Sequence, residues 1–432
     1  MKNINRRNFL RMAGIAGSMA MVPRTSLAAA PRVVVIGGGF GGASVAKYLR
    51  MWGGNVNVTL VDPASAHVSC ILSNLVVTGL LGMNRITISY QALRNTRGVS
   101  VLQGRALAVD PAGNRVTVGT ATGNQTLSYD HLVLAPGVDF VAPPGNYNAA
   151  LTPHAWQAGT QTTLLKNQLA TMRNNDRFVM TIPKSPYRCP PGPYERACMA
   201  ADYLKRMKRT GAMVVVLDAN AGIQAEPEAF THAFNVTHAG RILYVPNANV
   251  LSVDSSSRSI NTSAMNVSNA RVLNIIPAHR AGGIAATLGV NASGFVPIDP
   301  LTYGIAAYPN VHVIGDACAV PASDGKAVPK SGHMANSEAK VCADAILRAF
   351  NGEAPDRNIA TSSACYSPIT ARSASWLSAN FLYGDIFDAS GAVKGKGMHR
   401  VDLGEAPAGE VNQDSYQDMF TWADSLFSDS FA

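Results

Sequence analysis

Six cysteines raise the first chemical question in this 432-residue chain: Cys70, Cys189, Cys198, Cys318, Cys342 and Cys365. No two stand at CxxC spacing and no histidine cluster accompanies them, so zinc patterns are absent and no metal site is expected. Two have contexts that set them apart. Cys189 lies in the loop Pro183-Lys184-Ser185-Pro186-Tyr187-Arg188-Cys189-Pro190-Pro191-Gly192-Pro193-Tyr194. Cys365 follows a polar linker, Asn351 to Arg357, and belongs to a C-terminal segment that must dock back onto the body of the chain. A thiol pair brought together by folding can close into a disulfide, which a nucleophile opens to release a thiolate. Two unrelated packed thiols explain the same residues, because cysteine is a common small core residue. Cys198 and Cys342 fall on predicted helices and read as packing residues, as does Cys318.

A second chemistry lies in the glycines. Val33-Val34-Val35-Ile36 is a β-branched run without alternation, the pattern of a strand buried on both faces. Gly37-Gly38-Gly39-Phe40-Gly41-Gly42 follows, then a predicted helix from Ala43 to Arg50 and a strand from Val56 to Val61 that ends on Asp62. Gly37 permits a tight turn, Gly39 lets backbone N–H groups approach a pyrophosphate, and Gly42 permits close helix packing. The helix start turns its positive end to the phosphates. Asp62 can accept from ribose hydroxyls. Strand, glycines, helix, strand and acid in this order predict a dinucleotide site. A later strand, Val311-His312-Val313-Ile314-Gly315-Asp316, ends in Gly-Asp and precedes a helix from about Asn336 to Arg348. This pair of signatures points to FAD. Gly315 and Asp316 would meet its ribityl–phosphate part, and the following helix start would face the flavin where negative charge develops. Tyr129 to Gly137 reads as the strand leading out of that domain.

Between these pieces the strand–helix–strand order recurs: Arg177 to Ile182, Glu195 to Arg206, Met213 to Asp218. A nicotinamide nucleotide would normally sit at its turn. That turn is the proline loop, with no GxGxxG, and prolines supply no N–H groups to cradle phosphate. The second site is therefore expected to have lost its nucleotide. These elements predict an α/β fold with two dinucleotide-binding, Rossmann-like domains and a C-terminal α+β module. The expected boundaries are 31–150 with 285–352 for the FAD domain, 151–284 for the second, and 353–432 for the module.

Composition sets the class: 47% hydrophobic and 15% charged residues describe a globular chain. The formal charge is +9, but the first thirty residues hold Lys2, Arg6, Arg7, Arg11 and Arg24 and no acid, so removing five charges leaves +4. No Lys/Arg run tracks a phosphate backbone, so nucleic acid is not an expected partner. Asn5-Arg6-Arg7-Asn8-Phe9-Leu10, a short weakly apolar stretch and Ala28-Ala29-Ala30 read as a twin-arginine export signal over residues 1–30. A periplasmic protein without stable membrane insertion is expected.

Cys189-Pro-Pro-Gly-Pro-Tyr-Glu195-Arg-Ala together with Cys365-Tyr-Ser resembles the flavoprotein subunit of flavocytochrome c sulfide dehydrogenase. His154-Ala-Trp156-Gln-Ala-Gly159, Asn274-Ile-Ile-Pro277 and Pro329-Lys330-Ser331-Gly332 are similar to strings of the same family, and the similarity runs from about Pro31 to the C-terminus. The resemblance implies a glutathione-reductase-like fold and a redox-active disulfide between Cys189 and Cys365 on one flavin face. It implies that sulfide attacks this bond, leaving a persulfide, and that a cysteine thiolate then adds to the flavin. It makes Glu195 an acid/base, Cys70 the thioether attachment point for FAD at the flavin 8α-methyl group, and Lys330 a cofactor-binding residue. Unaided, Glu195 is also explained as a carboxylate at a helix start. His154 and His333 read as structural hydrogen-bonders.

The expected activity is oxidation of sulfide, with electrons passing through FAD to a c-type cytochrome subunit. No CxxCH haem motif occurs, so the haem would lie on that partner. Three alternatives remain: a sulfide:quinone oxidoreductase, a non-catalytic flavoprotein partner, and an NADH-dependent reductase. The quinone enzyme needs an apolar C-terminal anchor. Gln413 to Ala432 instead carries Asp414, Asp418, Asp424 and Asp429 and no Lys or Arg.

Overall fold

A computed structural model describes residues 30–432. The expected twin-arginine signal lies outside the described residues. Seventeen elements matter for the site. In chain order they begin with β1 (Arg32–Ile36), α1 (Phe40–Gly53), β2 (Asn57–Asp62), β3 (Ser100–Gln103) and β4 (His131–Leu134). The middle of the chain forms β5 (Arg177–Ile182), α2 (Gly192–Arg206), β6 (Met213–Asp218), β7 (Ile242–Val245) and β8 (Val272–Ile275). The last stretch forms β9 (Gly304–Ile305), β10 (Tyr308–Val313), α3 (Gly332–Phe350), β11 (Ala360–Thr370), β12 (Ser373–Phe387), β13 (Val393–Glu405) and α4 (Gln413–Phe431).

The first sheet has the order β9-β10-β4-β1-β2-β3, all parallel except β9 at the edge. Val33 to Ile36 are all buried, as their unbroken apolar run requires of a central strand. The second sheet, β7-β6-β5-β8, is wholly parallel and is formed between the two halves of the first. The C-terminal segment makes a three-stranded antiparallel sheet, β11-β12-β13, followed by α4. The α/β architecture with an α+β terminal module is thus present.

Helix starts differ from expectation in one direction. α1 begins at Phe40 rather than Ala43, α2 at Gly192 rather than Glu195, and α3 at Gly332 rather than Asn336. In each case the first turn is built from residues that sequence reasoning treats as loop. Pro193 in the first turn of α2 has its φ already set for a helix and lacks only an N–H that would be unsatisfied there.

α4 is fastened on both sides. Asn412 caps its start by accepting from Ser415 N at 2.8 Å. Its Met419, Ala423, Leu426, Phe427 and Phe431 are buried in the main core. Asp429 pairs with Lys340 at 2.7 Å and with the Tyr48 hydroxyl, and Asp424 pairs with Arg85 at 2.5 Å. The Asn336 amide donates to Ser44 at 2.9 Å and Ser430 at 3.0 Å, so one buried side chain joins α1, α3 and α4.

Close approach governs the start of α1. A Cβ on Gly42 would stand 1.8 Å from the Gly37 carbonyl oxygen, a backbone atom that cannot swing aside. Gly37 has φ +99°, which side chains rarely adopt. We expect Gly42→Ala to cost at least about 2–3 kcal/mol and to lower the thermal midpoint while loosening flavin retention. A midpoint and flavin content equal to wild type would show that the turn relaxes freely.

Candidate functional site

One cavity of about 690 Å³ collects the expected residues, within the range of roughly 300–1,000 Å³ common for small-molecule sites. The first turns of α1, α2 and α3 all line it. Three positive helix ends therefore face one space, a setting suited to phosphate and to charge developing on a reduced ring. No side chain caps α1, which leaves its first N–H groups for a ligand.

At the nucleotide end, Gly37 and Gly39 line the cavity with Asp62. Asp62 accepts from Gly38 N at 2.6 Å and Ala64 N at 2.8 Å, which fixes the carboxylate at the end of β2. The Tyr90 hydroxyl donates to the Gly38 carbonyl at 3.0 Å, so closely that a Cβ on Gly38 would meet it at 2.3 Å. Gly42 packs against the Gly37 carbonyl, the close packing its place in the motif implies, and does not line the cavity. At the middle, Gly315 and Asp316 line it. Gly315 N donates to the buried Glu338 at 2.6 Å; burial pushes the Glu338 carboxyl up to about 8. Asp316 Oδ1 is buried with no partner, and burial raises the pKa of its carboxyl, opposed by the charges of Arg188 and Lys330. An orphan acceptor in a cavity wall is what a ligand hydroxyl would satisfy. Lys330 stands behind the wall. Its ammonium donates to the Cys318 carbonyl at 2.6 Å and lies 3.8 Å from the Phe295 ring centre. Its own carbonyl accepts from Cys189 N at 2.7 Å.

At the sulfur end, Cys70, Cys189, Cys365 and Glu195 all line the cavity. Cys189 comes from the loop before α2, Cys365 from β11, and both are free thiols here. Both are partly exposed and line the cavity. Burial, with Cys365 and Glu195 adding negative charge, therefore raises the Cys189 thiol well above its ordinary range. Burial with Glu226 and Glu195 pushes Cys365 up to about 12. Cys189 has φ +58°, a strained conformation for a side-chain-bearing residue. Its sulfur stands where a Cβ on Gly192 would come within 2.8 Å, so this glycine makes room for it. Burial pushes Glu195 up to about 8, against the Asn74 amide, which donates to it at 2.9 Å, and the charge of Arg196. Neutral at pH 7, Glu195 is a proton donor beside the two sulfurs.

Several site residues escaped sequence reasoning. Arg188, next to Cys189, places Nη2 3.6 Å from Cys70 Sγ. Arg196 is 2% exposed and donates to Asn74 Oδ1, Asn274 Oδ1 and the carbonyls of His154 and Ala155. Trp156 stacks under it at 4.7 Å and donates to the Arg188 carbonyl. Glu226, 1% exposed, accepts from Ser367, two residues after Cys365. Signals existed for Arg188 and Arg196, which flank a singled-out cysteine and glutamate; none existed for Asn74 or Glu226. His154 Nδ1 accepts from Trp156 N and His333 Nδ1 from Ala364 N, the structural roles expected of them.

The second sheet's nucleotide position is filled from within. Asp218 ends β6, where an acid would meet a ribose. Its carboxylate accepts from the Tyr194 and Tyr244 hydroxyls and twice from Asn220, each at 2.8–2.9 Å.

Comparison with known proteins agrees with this geometry. The family described as sulfide dehydrogenase (flavocytochrome c) flavoprotein chain, central, matches residues 162–277, and that described as pyridine nucleotide-disulphide oxidoreductase matches residues 31–173. The flavoprotein chain of sulfide dehydrogenase (flavocytochrome c) from Chlorobaculum thiosulfatiphilum is 62% identical over 45 residues, 10% of this chain and 94% of that one. The chain belongs to the flavocytochrome c sulfide dehydrogenase flavoprotein family. Ferroptosis suppressor protein 1 of Taeniopygia guttata is 37% identical over 134 residues, 30% of this chain and 33% of that protein, so the match spans about a third of that relative's length. Sulfide:quinone oxidoreductase from Aquifex aeolicus shares the fold, with a TM-score of 0.72 over 93% of each chain at 18% identity. FAD is the cofactor this flavoprotein family implies. The cavity fits it: an uncapped helix start for the pyrophosphate, Asp62 for the ribose, and an orphan Asp316 oxygen between them and the thiols.

Glu195 supplies a test of this electrostatic layout. It gains charge as pH rises through about 8, and that charge opposes ionisation of Cys189. After reduction of the thiols, Glu195→Gln is expected to leave Cys189 alkylation by iodoacetamide unchanged below pH 7. Above pH 8.5 it should speed alkylation by roughly two- to threefold, the effect of a fraction of a pKa unit. Equal rates at all pH values would mean that Glu195 does not reach the sulfur.

Proposed function

We propose that this chain oxidises sulfide through a disulfide formed by Cys189 and Cys365, and that FAD passes the electrons to a c-type cytochrome subunit in the periplasm after twin-arginine export. The observation that carries this reading is the meeting of Cys189, Cys365 and the buried acid Glu195 in one cavity with the dinucleotide loop. Bound FAD supplies a two-electron acceptor that releases electrons singly. The chain's own residues do the rest. Hydrosulfide attacks one sulfur of the disulfide, forms a persulfide there and releases the other as a thiolate. Burial around the pair makes an unneutralised thiolate costly, so the electron pair is driven onward to the flavin. Glu195, neutral at pH 7, gives or takes the accompanying proton. Cys70 lines the same cavity and attaches FAD through a thioether.

The C-terminal helix favours a protein acceptor over a quinone. α4 turns its Met419, Leu426, Phe427 and Phe431 inward, and its Asp424 and Asp429 are paired with Arg85 and Lys340. No apolar face is left on it for a bilayer. No described helix is long and apolar enough to cross a membrane.

The deciding experiment is an anaerobic titration with sulfide, followed by flavin absorbance. Wild type is expected to bleach and then reduce a c-type cytochrome. Cys189→Ser should slow bleaching at least a hundredfold, on the order of one lost nucleophile or acid/base. NADH should bleach neither, because the proline loop and the engaged Asp218 leave no nucleotide seat. Equal bleaching of wild type and Cys189→Ser by sulfide would remove the cysteine from the mechanism.

A further inference from the structure

We propose that Arg188 is the positioning residue that holds the Cys70 sulfur in place for its attachment to the flavin. This rests on the reading of Cys70 as the attachment point. Three observations carry it. Arg188 Nη2 lies 3.6 Å from Cys70 Sγ, within reach of a charge-assisted hydrogen bond to sulfur. Nη1 of the same guanidinium lies 3.8 Å from Asp316 Oδ2, whose other oxygen is buried without a partner in the same cavity wall. The backbone of Arg188 is clamped at both ends: its N–H donates to His279 Nδ1 at 2.9 Å, and its carbonyl accepts from Trp156 Nε1 at 3.1 Å. The Cys70 thiol in turn donates to the Trp156 carbonyl at 3.7 Å, which orients the sulfur from the other side. One rigid strut therefore carries a cation between the attachment sulfur and the Gly-Asp acid. Arginine is suited to this place, because its fork serves two anionic partners at once and never loses its charge.

The chemistry needs such a cation. Attachment replaces one C–H bond of the flavin 8α-methyl group with a C–S bond. One proton leaves the thiol and one leaves the methyl group. Two electrons enter the flavin ring and pass to its acceptor, a one-electron haem protein or dioxygen, which returns the ring to its oxidised form. The attacking species is the thiolate, and a neighbouring guanidinium is one of the settings that favour thiolate over thiol. A cavity lined by buried groups otherwise disfavours a charged sulfur.

The test reads attachment, not turnover. Full-length wild type, Arg188→Lys, Arg188→Gln, Arg188→Met and Cys70→Ser are purified, and two flavin pools are measured. Acid-soluble flavin reports bound but unattached FAD, and fluorescence of the denatured protein band reports attached flavin. Wild type should carry attached flavin and Cys70→Ser only the soluble pool. Arg188→Gln should bind FAD but attach it at least about tenfold more slowly, the factor one pKa unit carries. Arg188→Lys, which keeps the charge but not the fork, should fall between. Arg188→Met, of similar length, serves as the neutral variant if Arg188→Gln fails to fold. Wild-type attachment in a folded neutral variant overturns the role of Arg188 alone. Absence of attached flavin in wild type overturns the attachment reading and this role with it.

Discussion

The guanidinium of Arg196 is the interaction on which the site depends. It is a charge buried almost completely, and a buried charge is tolerated only when its hydrogen bonds are met. Four acceptors meet them: Asn74 from the short helix Ser73–Val77, the His154 and Ala155 carbonyls, and Asn274 from β8. Trp156 covers its face. Burial still lowers its pKa to about 10, so it stays charged at neutral pH. Removing such a group would leave several acceptors stranded, a cost on the order of 3–5 kcal/mol. The geometric consequence matters more. Arg196 follows Glu195 in the first turns of α2, so the same contacts that satisfy it fix Glu195, and through the loop before it Cys189. The segment bearing Asn74 also bears Cys70. One cation thus ties together the segments that carry Cys70 and Cys189.

Around that anchor the electrostatics pull in two directions. Three helix starts and the guanidinium groups of Arg105, Arg188 and Arg196 bring positive charge to the cavity wall, which favours phosphates and a reduced ring. Burial opposes any localised charge, so Glu195 and Glu338 are held near 8. The balance keeps the acids neutral and available as donors while anions arriving from outside are received. Glu195, the acid beside the sulfurs, is thereby held with its pKa raised to about 8. That arrangement follows from low solvation and does not need each acid to be tuned separately.

Much of this was legible in the order of elements. The run Val33 to Ile36, the glycines after it and Asp62 place a buried parallel strand, a tight turn and a ribose acid without ambiguity, and the sheet order follows the expected connections. Helix starts were less legible. The first turns at Gly192 and Gly332 consist of residues whose propensities indicate loop, and they are helical because their backbone must face the cavity. Gly42 serves the packing that its motif position implies, and the Lys330 ammonium, in another string that marks the site, also donates to the Cys318 carbonyl beside Phe295. The role of Arg196 was hidden for a different reason. The strings around residues 74, 154–156, 189–197 and 274 look independent along the chain. They meet only after two sheets have formed, and a long-range hydrogen-bond hub has no local periodicity to reveal it.

The second sheet differs from the first at the turn and strand-end acid that would receive a nucleotide. In a paired dinucleotide fold, the glycine turn and the strand-end acid are useful only together. Here both are absorbed into protein. The turn has become a proline loop whose Tyr194, fully buried, donates to Asp218, and Tyr244 and Asn220 complete the carboxylate's coordination. Satisfying Asp218 internally removes the penalty of an empty polar cleft. It also rigidifies the base of the loop, whose tip carries Arg188 and Cys189. Rigidity at the base is what allows a strained, positive-φ cysteine to persist at the tip. The hydrogen bonds that engage Asp218 therefore also help hold the sulfur at the tip of the loop in position.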